Sequence, residues 1–154
     1  MKKQLHQVNP LVVVADAARA QFFTVNAETR KLVERSTLIN YAGRMRDQDL
    51  TSDGQGRSFD SGGAGRHAMG PSSSAKQNAT VSFAEEVGQQ VPEQMTEWNA
   101  RDLILVAAPK FLGQLRKVLS SDAHNALYFE INADYTTHSA DQITDAVNRR
   151  LEEA

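Results

Sequence analysis

Cysteine is absent from the 154-residue chain. That excludes disulfides, thiolate catalysis and Cys-ligated zinc or iron–sulfur sites. An excess of one charge is also missing: seventeen Lys and Arg stand against nineteen Asp and Glu, a formal −2. Composition therefore offers no bulk attraction to nucleic acid or to an anionic membrane. Long hydrophobic runs are lacking as well. The first, Leu11 to Ala15, ends at Asp16 and is too short for the core of an export signal. No stretch approaches the ~20 apolar residues that cross a bilayer. The expectation is a cytoplasmic protein without membrane insertion. His6, His67, His124 and His138 show no close ligand spacing such as H-E-x-x-H, so each reads as a surface residue, and neither a metal nor a cofactor is expected.

What is present is an ordinary globular balance, 40% apolar and 23% charged, over a length that suits one domain spanning 1–154. Leu11–Val12–Val13–Val14–Ala15 is a continuous apolar run and reads as a strand buried on both faces. Gln21–Val25 and Leu32–Ile39 follow after short polar connections, which implies an antiparallel meander. From Ala75 the pattern turns helical, with Ala79, Phe83, Val87 and Val91 four apart. Pro92 is expected to kink or end that helix. Leu103–Ala107 is a second wholly apolar strand. Pro109 then opens a helix whose core face is Phe111, Leu112, Leu115, Val118 and Leu119. Leu127, Phe129 and Ile131 alternate as a half-buried strand, and Ser139 with Gln142 forms a capping box for a last helix. Two strand–helix–strand crossovers favour parallel pairing. The expected fold is α/β, with a mixed five-stranded sheet (an antiparallel meander plus parallel strands) and helices on its faces.

Six of the nine glycines crowd between positions 54 and 70. They lie in a polar stretch, 40–74, that shows no periodicity and reads as one long Gly-rich loop. Gly62, Gly63 and Gly65 allow close backbone approach to a ligand. Arg44, Arg57 and Arg66 are candidate phosphate grips, Asp60 lies among them, and His67 is a candidate anion ligand or proton shuttle. By composition alone the same stretch is a flexible surface loop with solvated charges. It is no P-loop, because the Gly-Lys-Ser/Thr ending and the preceding strand are missing. Asp16, at the carboxyl end of the first central strand, is the second candidate for chemistry. It reads equally as a turn-capping aspartate. A two-metal carboxylate mechanism would need further acids beside it. Glu85 and Glu86 are candidates, but Ala107–Ala108–Pro109 offers none at the end of the other central strand.

Three segments carry a family resemblance. They are Leu11 to Ala20, Ser52–Asp53 through Gly56–Arg57 to Gly65–Arg66–His67–Ala68, and Leu105–Val106–Ala107–Ala108–Pro109–Lys110–Phe111–Leu112–Gly113–Gln114–Leu115–Arg116. Together they resemble the bacterial family of proteins required for attachment to host cells, over about Leu11 to Leu151. That family is similar to the middle domain of eukaryotic and archaeal class-one peptide release factors and of Pelota. The resemblance implies a release-factor middle-domain, ribonuclease H-like topology. It also implies a loop after the third strand at the place of the release factors' Gly-Gly-Gln. Here that place reads Gly62–Gly63–Ala64, and alanine lacks the amide that would position a hydrolytic water. Peptidyl-tRNA hydrolysis by that route is therefore disfavoured.

Three functions follow as expectations. The first is a binding module whose Gly/Arg loop contacts RNA or the ribosome. The second is an interaction or regulatory protein, with protein partners, that affects attachment to host cells. The third is a hydrolase of an ester or phosphoester using Asp16, Arg66 and His67. The sequence leaves the oligomeric state open.

Overall fold

A computed structural model describes residues 8–42 and 62–153, the stretch 62–74 by its backbone. The elements run β1 (Pro10–Ala15), β2 (Arg19–Val25), β3 (Leu32–Ile39), α1 (Gly62–Glu97), β4 (Asp102–Ala107), α2 (Pro109–Val118), α3 (Ser121–Ala126), β5 (Leu127–Ile131) and α4 (Ala140–Glu153). The strands form one sheet in the order β3-β2-β1-β4-β5. β1, β2 and β3 pair antiparallel. β1 pairs β4 in parallel, Val13 facing Leu105, and β4 pairs β5 in parallel. The expected single mixed five-stranded α/β sheet is what the chain forms.

Leu11–Ala15 of β1 and Leu103–Ala107 of β4 are wholly apolar because the sheet is covered on both faces at its centre. Leu11, Val13, Ala15, Leu103 and Leu105 point into one core with Phe83, Val87 and Val91 of α1 and Phe111, Leu112 and Leu115 of α2. Val12, Val14, Ile104 and Val106 point into the other, closed by Ile143, Val147 and Leu151 of α4. At the contact between α1 and α2, a Cβ on Gly88 would stand 2.9 Å from the Val118 side chain and 3.1 Å from its carbonyl oxygen. Only glycine lets the two helices approach this closely.

The start of α1 departs from the expectation. The helix begins at Gly62, not at Ala75, so residues 62–74 are helical backbone and not part of a loop. Glycine costs only about 1 kcal/mol per helical residue, and a helix already nucleated propagates at one hydrogen bond per residue. The packed stripe Ala79, Phe83, Val87 and Val91 supplies that nucleus. Pro92 does not end the helix either, which continues to Glu97. Proline removes the bond to the Gly88 carbonyl at a cost of about 3 kcal/mol. Buried Val87 and Val91 before it and Met95 after it, all on the same core, hold the helix through.

α3 is an element that the apolar pattern did not announce. Ser120 caps it, the hydroxyl accepting from the Ala123 amide at 3.2 Å. The capping box of α4 forms as its residues require. The Ser139 amide donates to Gln142 Oε1 at 2.9 Å, and the Gln142 amide donates to Ser139 Oγ at 3.2 Å. Further along α4, Thr144 Oγ1 accepts from the Leu32 amide at 3.0 Å, and Lys31 pairs with Asp141 at 3.5 Å. These contacts fasten the start of α4 to the start of β3.

Candidate functional site at the carboxyl ends of the central strands

β1 ends at Ala15, and the next residue turns the chain back into β2. Asp16 Oδ1 accepts from the amides of Ala18 at 2.8 Å and Arg19 at 2.9 Å, while the Asp16 amide donates to the Arg19 carbonyl at 2.9 Å. This is the Asx geometry that makes aspartate a turn former. Asn40, buried beyond the end of β3, locks the same turn. Its amide nitrogen donates to the Ala18 carbonyl at 2.9 Å. Its side chain donates to the Ala17 carbonyl at 2.9 Å and to the Ala79 carbonyl of α1 at 3.4 Å. The end of the meander is thereby tied to the turn of the long helix that holds Ala79.

A second carboxylate reaches this end of the sheet from the chain beyond β5. The Thr136 hydroxyl lies 2.6 Å from Asp134 Oδ1 and 3.0 Å from Asp16 Oδ2. A hydroxyl carries one proton, so it donates to one carboxylate at a time and the shorter bond goes to Asp134. The Thr136 amide also donates to Asp134 Oδ1, at 2.9 Å, and the Arg19 guanidinium donates to the Thr136 carbonyl. Thr136 is only 2% exposed. It therefore acts as a buried pin that joins two stretches of chain 120 residues apart.

The pin perturbs Asp134. The Thr136 hydroxyl and then its amide hold the Asp134 carboxyl below the usual carboxylate range. Burial opposes them weakly, and the charges of His138 and Arg19 add to the lowering. A carboxyl whose folded pKa is depressed stabilises the fold above its unfolded value, and that contribution fades as pH falls through the folded value. Lowering the pH below about 4, the ordinary range of an aspartate, should therefore loosen residues 134–138. Thermal melts across that range should show a steeper acid loss for the wild type than for Asp134→Asn. Parallel curves would remove Asp134 from the pin.

Of the candidates named from sequence, Asp16 stands at this site with both oxygens engaged. Arg44, Arg57 and Asp60 lie outside the described residues, as do Gln55 and His6. Gly62, Gly63, Gly65, Arg66 and His67 fall in the opening turns of α1. Glu85 and Glu86 are exposed on α1. Among the described residues no three His, Asp or Glu gather as a metal site, so Glu85 and Glu86 do not complete one with Asp16. His124 turns Nε2 to the Arg116 carbonyl at 2.8 Å, and His138 leans on the Tyr135 ring at 4.5 Å. Sequence reasoning passed over Asp134, Thr136 and Arg19. The available signal was the run Asn132–Ala133–Asp134–Tyr135–Thr136 just past a parallel strand, where open α/β sheets carry their sites.

No helix among the described residues is long and apolar enough to cross a membrane. No curated protein matches the chain. The family described as "Protein required for attachment to host cells" matches residues 11–147, from β1 into α4 and across Asp16, Arg19, Asp134 and Thr136, and the chain belongs to that family.

Proposed function

We propose that this chain is a cytoplasmic binding module of the host-attachment family, and that it contacts RNA or the ribosome through the N-terminal half of α1. One observation carries the reading. Among the described side chains, Ala79 is the first of α1 to be buried in the core, yet the helix begins at Gly62. At 1.5 Å per residue the stretch 62–78 runs about 25 Å. Between Gly62 and Ala84 it bears Arg66, His67 and Lys76 and no Asp or Glu, in a chain whose formal charge is −2. A helix start without acidic residues, opened by two glycines, favours phosphate over carboxylate-bearing partners.

The resemblance to release-factor middle domains supports the same segment, since it follows the third strand at the place of their catalytic loop. Ala64 makes it a docking element without the hydrolytic amide. Binding is also preferred to hydrolysis because two backbone amides already occupy Asp16 Oδ1 and the Thr136 hydroxyl stands 3.0 Å from Oδ2. Family membership suggests a role in host-cell attachment. A contact with RNA would make that role regulatory.

Sedimentation over a salt series tests this. The wild type should travel with ribosomes at low salt and leave them as salt rises. Arg66→Ala should lower the slope of log affinity against log salt by roughly one, as expected for one lost phosphate contact. A wild type that stays ribosome-free at low salt ends the proposal.

A further inference from the structure

A cavity of about 280 Å³ opens between the carboxyl end of β5 and the last turns of α4. Ile131 and Ala146 give it an apolar lining, and Asn132, Tyr135, Arg149 and Arg150 bring polar groups to it. We propose that this cavity binds a small phosphate monoester. The site is separate from the α1 segment and does not rest on the function proposed above.

The first argument is that the polar groups are uncommitted. Among the described residues, the Asn132 side chain, the Tyr135 hydroxyl and the Arg149 guanidinium have no hydrogen-bond or ion-pair partner. Arg150 has only the face of Phe129, 5.1 Å from the ring centre. That contact orients its guanidinium without using its donors.

Charge gives the second argument. Glu130 also lines the cavity, but Arg116 takes its carboxylate in a fork, with contacts from 2.6 to 3.1 Å. Glu153 is the one uncommitted carboxylate of the lining. It lies a turn from Arg149 and forms no ion pair with it. The uncommitted charge is two guanidiniums against one acid.

Geometry gives the third. Successive helix positions diverge by about 100°, so Arg149 and Arg150 reach the cavity from different directions. A flat carboxylate is satisfied by one guanidinium fork, whereas a tetrahedral phosphate has oxygens to offer two. The volume exceeds what inorganic phosphate needs and approaches the lower range of small-molecule pockets, roughly 300 Å³. Ile131, Ala146 and the Tyr135 ring suit the organic body of an ester. The position, outside the end of a parallel strand, is where ligands of open α/β sheets bind.

Amide-resolved NMR titration with adenosine 5′-monophosphate, ribose 5-phosphate and adenosine tests the site. Both phosphates should shift the amides of Ile131, Asn132 and Ala146, and adenosine should leave them in place. Arg149→Ala should weaken phosphate binding about tenfold, as for one charge-assisted contact, without changing the melting temperature. Arg66→Ala should bind as the wild type does. Four results would each overturn the proposal: no shifts from either phosphate at millimolar concentration, equal binding of adenosine, undiminished binding by Arg149→Ala, or loss of binding in Arg66→Ala.

Discussion

Replacing Phe83 with alanine should cost about 3–5 kcal/mol of unfolding free energy, the usual range for emptying a buried aromatic site. Phe83 is 2% exposed and its ring lies 6.0 Å from that of Phe111, tilted by 38°. It is the largest side chain that α1 gives to the core, beside Ala84, Val87 and Val91. Among the described side chains of α1, residues 75–78 are not buried, so the hold on the sheet rests on the stretch from Ala79 onward. The cavity left by alanine would face Phe111 on α2 and the inner side of β1 and β4, all on well-packed elements with little room to collapse. Urea denaturation should show a lower midpoint with an unchanged slope. Phe83→Leu should lose only about 1 kcal/mol, since it keeps most of the volume. An alanine variant that lost less than that would show that α1 and α2 collapse around the vacated site.

Asp16→Ala should be the second costly change, at about 2–4 kcal/mol. Two backbone amides lose a charged acceptor at once, and the Thr136 hydroxyl loses its second neighbouring carboxylate. Hydrogen bonds to charged groups contribute about 1.5–3 kcal/mol each, reduced here because the turn is partly solvated. Asp16→Asn is the informative companion. Its side-chain oxygen can still accept from Ala18 and Arg19, and its amide can donate to Thr136 Oγ1, so it should lose only about 1 kcal/mol. Hydrogen exchange separates the two roles of the residue. Exchange at the Ala18 and Arg19 amides reports the turn, and exchange at the Thr136 amide reports the pin. If Asp16→Ala accelerates only the turn, the distant connection contributes nothing to stability.

The central sheet was readable from composition along the strands. Leu11–Ala15 and Leu103–Ala107 are apolar at every position, because helices cover both faces of the sheet there, whereas the helices alternate apolar with polar residues. The start of α4 was readable because Ser139 and Gln142 satisfy each other within one turn. The start of α1 was not, since a run with four glycines and Pro71 among its first nine or ten residues has poor local helix propensity, and the stripe that nucleates it lies further along. Pro92 misled for the same reason: its local cost is real, but packing on either side outweighs it.

The site divides along the same line. The turn-capping reading of Asp16 needs only its neighbours at 18 and 19. Its bond to Thr136 spans 120 residues, and no spacing rule reaches that far. Arg149 and Arg150 end an amphipathic helix, where paired arginines read as a solvated face. Only the placement of Asn132 and Tyr135 against them makes a cavity.

The parallel pairing of β1 with β4 has a consequence for how the chain reaches this state. Leu11 meets Leu103 only after more than ninety intervening residues have been looped out, whereas β1, β2 and β3 join through short turns. Local hairpins form in microseconds, while non-local pairings must first pay for closure. The meander is thus the natural template on which β4 docks, and α1 must be laid across it before the second half of the sheet can close. Closure cost rises by only about 0.6 kcal/mol for each doubling of the loop. The long separation of β1 and β4 along the chain is therefore mainly a burden on the rate of folding, and it takes little from the stability of the finished sheet.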